Sequence, residues 1–219
     1  QQALHLLALA PIAETVADPN SYGFRPNRSA ADAIAQCFKC LCFKHSGCWV
    51  LEGDIKACFD KIGHEWLIQN IQIDKRMLKQ WLNSGYIDKG VFYRTAEGTP
   101  QGGVISPTLM LVTLAGLEKL VKESANKTGD RVNFIGYADD FVITATSKDV
   151  LVKEIKPRLI EFLEERGLTL SEEKTQITHI DDGFHFLGFN LRKYKGKLLI
   201  KPSKDNVLSF VGNLRKLIN

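Results

Sequence analysis

Asp139 and Asp140 stand side by side between two β-rich runs, Val132 to Gly136 and Phe141 to Ile143. Two such runs joined by so short a link read as a β-hairpin with the acids at its tip. Adjacent carboxylates there repel each other, and a divalent cation is the simplest compensation. A third acid, Asp54, ends another short extended run, Trp49 to Ile55. Hard Mg²⁺ takes a few carboxylates plus substrate phosphates, and two such ions serve in-line phosphoryl transfer. An exposed turn remains the plain alternative for the Asp pair taken alone.

The hairpin sits in an interleaved pattern. Leu4 to Ile12 reads as a buried helix, closed by the turn-rich Ala17 to Ser21. Ser29 and Asp32 form a capping-box pattern ahead of Ile34, Cys37, Phe38 and Leu41, which recur at helical spacing. Helices are expected at 64–70 and 74–84 and a strand at Val91 to Thr95. Ser106 as N-cap and Pro107 then open an apolar, central helix running through Leu120. Another helix runs from Ser147 to Arg166, with Gly167 as a left-handed cap and Pro157 kinking or dividing it. Strands at 175–179, 184–192 and 197–200 precede a final helix carrying Val207, Phe210, Val211, Leu214 and Leu217. This order predicts an α+β architecture with a mixed sheet of the split βαβ kind.

Composition narrows the function classes. With 44% hydrophobic and 25% charged residues over 219 positions, the chain is neither disordered nor collagenous. The apolar run Leu4 to Ala13 is too short to span a bilayer, and no signal peptide precedes it. Net charge is +4, but eight bases against Asp205 put +7 after residue 191, leaving −3 on the rest. A basic arm on a mildly acidic body suits a phosphate-backbone binder with a separate metal site, although a solvated surface would look the same. The five cysteines, at 37, 40, 42, 48 and 58, are odd in number and clustered. That argues for a reducing compartment and buried thiols over a disulfide scaffold, and Cys37 to Cys40 lacks a second pair for zinc. The chain opens without Met inside a helix and stops in or after another, so a piece of a longer protein is expected.

The motif set is far more specific than the acids alone. Ser21-Tyr-Gly-Phe-Arg25-Pro, Gly53-Asp54-Ile-Lys-Ala-Cys-Phe59-Asp60, Gly98-Thr-Pro-Gln101-Gly-Gly103, Tyr137-Ala-Asp-Asp140, Gly167-Leu-Thr-Leu-Ser-Glu-Glu-Lys174 and Phe186-Leu-Gly-Phe189 follow in one order. Together they resemble group II intron-encoded reverse transcriptases, or maturases, over residues 1–205. The resemblance implies a right-hand polymerase: partial helical fingers at 1–48, a palm at 49–190 with an RRM-like sheet and YADD hairpin, and a primer-grip hairpin with the start of a basic thumb helix at 191–219.

Roles carry over position by position. The resemblance makes Asp54 and Asp139 metal-bridging carboxylates of a two-Mg²⁺ site, with the Ile55 carbonyl as an extra ligand and Asp140 nearer to orientation. Phe59 resembles the aromatic that excludes a ribose 2′-hydroxyl, against a core role. Gln101, Gly102 and Gly103 resemble a nucleotide-binding loop, against a plain turn, and Lys174 a proton donor to pyrophosphate, against a surface lysine. The resemblance has Arg25 and Arg28 grip template or join fingers to palm, against a structural ion pair. Leu187-Gly188 resembles the primer-grip turn, and Lys201 a nucleic-acid contact. Gly136, Met110-Leu111 and Gly63 depart from the family's usual Arg, Ala-Asn and Ser. The implied function is RNA-directed DNA polymerisation on an RNA template with DNA primer and dNTPs, together with binding of group II intron RNA. A splicing cofactor with a vestigial polymerase site, or a defence or CRISPR-associated reverse transcriptase, is the alternative. A bacterial cytoplasmic or organellar, non-membrane location is expected, and exposed apolar end helices make a homodimer of the fragment conceivable.

Overall fold

The computed structural model describes residues 1–88, 91–93, 97–99, 103–125 and 130–218. The chain opens with helices α1 (Gln2–Val16) and α2 (Ala30–Leu41), and then strand β1 (Trp49–Asp54). Short helices α3 (Cys58–Lys61), α4 (His64–Asn70) and α5 (Lys75–Leu82) lead to strands β2 (Tyr86–Asp88) and β3 (Val91–Tyr93). Helices α6 (Ser106–Leu114) and α7 (Leu117–Ala125) precede the hairpin β4 (Asn133–Tyr137) and β5 (Asp140–Ala145). A π-helical turn, Val150–Ile155, runs into α8 (Lys156–Glu164), followed by β6 (Gln176–His179), β7 (Phe184–Phe186), β8 (Phe189–Tyr194), β9 (Lys197–Pro202) and α9 (Lys204–Ile218).

The central sheet has the order β4-β5-β1-β6, which is the split βαβ arrangement expected from the sequence. Its neighbouring strands are all antiparallel, so the parallel part of the expected mixed sheet reduces to a bridge between Ser21 and Gly136. Period-two alternation divides the core. Leu51, Ile55, Phe134, Phe141 and Ile143 face the layer of helices. Val50, Ile135 and Val142 face α2 and the second sheet, β7-β8-β9. Asp54 and Asp140 share the parity of Val50 and Val142, so they close that second face at its end.

Several local expectations need correction. The helix read as continuous to Leu120 breaks at Gly116, which has φ +98°. The break is fixed from outside: Asp18 accepts the amides of Gly116 (3.1 Å) and Glu118 (3.2 Å), capping α7 from about 100 residues away in sequence. Helix α6 has Ile105 as its N-cap, one residue before the expected Ser106. Helix α1 buries Leu9 and Ala13 but leaves Leu4 and Leu7 at 70% and 74% exposure, because its apolar residues run all round it. The Ser29–Asp32 capping box forms, Gly167 takes φ +73°, and Pro157 follows a π-helical turn that divides its helix. Among the described residues no helix is long and apolar enough to cross a membrane.

Candidate active site

The sheet register sets the acids against one another. Asp54, the last residue of β1, is the direct partner of Asp140 on β5, and Tyr137 pairs with Asp140 across the hairpin. Ala138 and Asp139 form the two-residue turn, with Ala138 in the left-handed region at φ +57°. The Asp139 carbonyl accepts the Ile55 amide at 3.2 Å, tying the hairpin tip to the end of β1. The Ile55 carbonyl accepts no hydrogen bond among the described residues, and so is available as an oxygen ligand.

The Ser21-to-Pro26 motif buttresses this turn. Gly136 donates to the Asn20 carbonyl (2.9 Å) and accepts from the Tyr22 amide (2.8 Å). A Cβ on Gly23 would lie 2.9 Å from the Ala138 Cα and closer still to its nitrogen, so only glycine lets the two backbones touch. Phe24 then meets Phe59 edge to face, with ring centroids 5.8 Å apart. Phe59 is half-buried against the helical core, and its carbonyl accepts the Thr99 amide at 2.6 Å, anchoring Thr99 beside it.

The electrostatics report crowded negative charge. Desolvation first, then Asp139 and Asp54, push the Asp140 carboxyl above its ordinary value, with Lys174 opposing. The Cys58 thiol beneath is pushed up to about 12 by burial and by Asp139 and Asp54. Lys174 supplies the counter-charge: its Nζ donates to Asp54 Oδ1 at 3.0 Å, which raises the ammonium's pKa. Asp54, Ile55, Asp139 and Lys174 line a cleft of about 480 Å³. On the other side, Asp54, Asp140 and Lys174 share a cavity of about 180 Å³ with Leu187 and Gly188. The residues read as metal ligands, proton donor and primer-grip turn therefore meet around two adjoining spaces. Among the described residues, no three His, Cys, Asp or Glu side chains converge closely enough to hold a metal ion by themselves. The donor set nevertheless fits a hard divalent cation, since it offers oxygens alone, excess negative charge and room for phosphate oxygens to complete the shell.

Other sequence-derived residues lie elsewhere. Gln101 and Gly102 fall outside the described residues; Gly103 is half-buried, its carbonyl accepting the Ser106 amide. Arg25 is buried, its guanidinium taken up by Glu14 and by the carbonyls of Asp18 and Ser21, each at 2.8 Å. Of its two readings the geometry supports the structural ion pair over a template grip. Arg28 donates to the Pro19 carbonyl and lies 5.3 Å over the Tyr22 ring. Lys201 is exposed on β9 opposite Asn190, outside both cavities. Sequence reasoning passed over Glu52, which lines the smaller cavity and accepts the His185 amide at 3.0 Å. Its signal was present: an acid two residues before Asp54 in a strand lies on the same face.

A split βαβ sheet with opposed carboxylates at its strand ends defines the palm of a right-hand polymerase. Apo telomerase from Candida tropicalis has the same fold over 92% of this chain and 40% of its own, with a TM-score of 0.63 at 14% identity. The chain belongs to the reverse transcriptase (RNA-dependent DNA polymerase) family, whose model matches residues 2–191. It is 33% identical to protein YkfC of Escherichia coli K12 and 28% identical to the group II intron-encoded protein LtrA of Lactococcus lactis subsp. cremoris. Those matches cover 90% and 100% of this chain but only 61% and 46% of the relatives. Reverse transcriptases use divalent metal ions.

Proposed function

We propose that this chain is the palm, with part of the fingers, of an RNA-directed DNA polymerase encoded by a group II intron. It extends a DNA primer on an RNA template with dNTPs. The carrying observation is Asp54 opposed to Asp140, with Asp139 at the turn and the Leu187–Gly188 turn across a gap of about 180 Å³. Asp54, Asp139 and the Ile55 carbonyl would hold two Mg²⁺ ions, which when bound activate a 3′-hydroxyl and neutralise the departing pyrophosphate. Asp140 orients the strand end beside them. Lys174 carries a proton at Nζ within reach of the same cleft and delivers it to the leaving pyrophosphate. Phe59, steadied by Phe24, faces the sugar of the incoming nucleotide. The basic residues from Arg192 onward carry affinity for RNA backbone, group II intron RNA included, and intact carboxylates favour catalysis over a vestigial site.

The test is single-nucleotide primer extension by the full-length protein, with RNA binding measured in parallel. Asp139→Ala or Asp54→Asn should abolish extension and leave RNA affinity nearly unchanged. Extension within about tenfold of wild type for both variants would defeat the assignment, because a lost ligand costs several kcal/mol of transition-state stabilisation.

A further inference from the structure

Glu52 occupies an unusual place for an acid. It lies in the middle of β1, next to Leu51, which is fully buried, and two residues before Asp54 on the same face. No cation pairs with it among the ion pairs of the described residues. Its two oxygens go instead to two different strands: Oε2 accepts the backbone amide of His185 on β7 at 3.0 Å, and Oε1 faces the Thr178 hydroxyl on β6 at 3.5 Å.

What the bond holds gives it meaning. His185 precedes Leu187 and Gly188 by two and three residues, and both take positive φ, +48° and +78°. From the other side, the Gly188 carbonyl accepts the Ser203 amide (2.9 Å) and the Asn206 Nδ2 (3.1 Å) at the start of α9. The turn, which closes the β7–β8 hairpin, is thus bound on one side to α9 and, through His185, on the other to a side chain of the catalytic strand. Glu52, Asp54, Asp140, His185, Leu187 and Gly188 all border the same cavity of about 180 Å³.

We propose that Glu52 is a positioning residue: its carboxylate tethers the 184–188 segment to β1 and so sets the separation between the Leu187–Gly188 turn and the catalytic carboxylates. The proposal rests on the polymerase reading, in which that turn aligns a primer end. Glu52 itself touches no reacting atom. Reach, and not charge, is the property that matters.

Two conservative variants of the full-length protein separate reach from charge. Glu52→Gln keeps an oxygen at the same distance and loses the charge; Glu52→Asp keeps the charge and is one methylene short. The expected result is a kcat within about threefold of wild type for Glu52→Gln. For Glu52→Asp, kcat falls about tenfold or more, with the dNTP KM nearly constant, because a displaced primer end slows chemistry more than it weakens nucleotide binding. The His185 amide should exchange with deuterium faster in Glu52→Asp than in Glu52→Gln, at matched Tm. Three results would overturn the tether: wild-type kcat in Glu52→Asp, greater damage in Glu52→Gln than in Glu52→Asp, or losses that merely follow Tm. If wild type proves as inactive as Asp139→Ala, the polymerase reading fails; His185 exchange then decides the tether alone, faster in Glu52→Asp supporting it and equal rates in both variants refuting it.

Discussion

Replacing Gly23 with alanine adds one methyl group and should cost both stability and catalysis. The added Cβ would stand 2.9 Å from the Ala138 Cα and 3.0 Å from the Tyr137 carbonyl carbon, against an ordinary contact of 3.4 Å or more. All these neighbours are backbone, so no side chain can swing away; because the Ala138 nitrogen lies closer still, the hairpin tip or the Tyr22–Phe24 segment must retreat by about 1 Å, the misplacement that costs about a hundredfold in rate. Overpacking of this kind costs about 1–3 kcal/mol, which at about 2–4 °C per kcal/mol for a chain of this size lowers Tm by about 2–12 °C. Asp139 follows Ala138 directly, and catalytic groups need placement to within about 0.5 Å. Extension should therefore fall about tenfold or more even well below the lowered Tm. Single-nucleotide extension kinetics and a melting curve on the same preparations read both numbers. Wild-type extension at any temperature where the variant is folded would refute the claim that Gly23 sets the position of the catalytic turn.

Phe59→Val should raise ribonucleotide incorporation about 5- to 150-fold relative to deoxynucleotide, since excluding one hydroxyl is worth about 1–3 kcal/mol; kcat/KM for a matched dNTP and rNTP pair decides, and an unchanged ratio with lower Tm would make Phe59 a core aromatic. Arg25 holds the Glu14 carboxyl below its ordinary value, chiefly through their hydrogen bond, so the pair's stabilisation is present above the usual carboxylate range and lost as pH falls through the folded-state value. Glu14→Gln should flatten that acid limb by under about 1 kcal/mol, because Glu14 is 41% exposed; urea melts at pH 3 to 7 measure it. Ala138→Gly should leave Tm unchanged or raised, because relief of left-handed strain outweighs glycine's entropy by up to about 1 kcal/mol. A clear fall in Tm would show that the Ala138 methyl packs to greater effect than its backbone is strained.

The acids and their hairpin were legible because their signals are local. Two β-rich runs on either side of a short link, and the apolar run into Asp54, mark which strand ends carry carboxylates without reference to anything distant. Break points were not. Gly116 by itself was only a possible stop, since an apolar helical pattern tolerates an isolated glycine; what settles it is Asp18, which reaches the α7 amides only after folding. Arg25 shows the same limit from the other side. As a motif residue it suggested a nucleic-acid contact, and its partner Glu14 lies 11 residues earlier on a helix whose orientation the sequence leaves open. Glu52 was readable in principle, since parity places it with Asp54, but its partner is a backbone amide and carries no side-chain signature.

Backbone strain follows the same division. Among the described residues six non-glycine residues have positive φ, and four of them, Phe24, Ala57, Ala138 and Leu187, lie in the turns around the carboxylates. Each costs about 1–2 kcal/mol relative to an unstrained conformation. Such strain persists only where other contacts over-determine it. Here Tyr22 to Gly136, Ile55 to Asp139 and Ser203 to Gly188 are the backbone bonds that do so. Sharp reversals put strand-end side chains and carbonyls into the clefts, where chemistry needs them. Glycine could make the same reversals more cheaply but would leave the unfolded chain and the turn itself freer. An Ala or Leu held left-handed by its neighbours gives a turn with fewer alternatives, which is what a site with carboxylates crowded at adjacent strand ends requires if mutual repulsion is not to spread them apart.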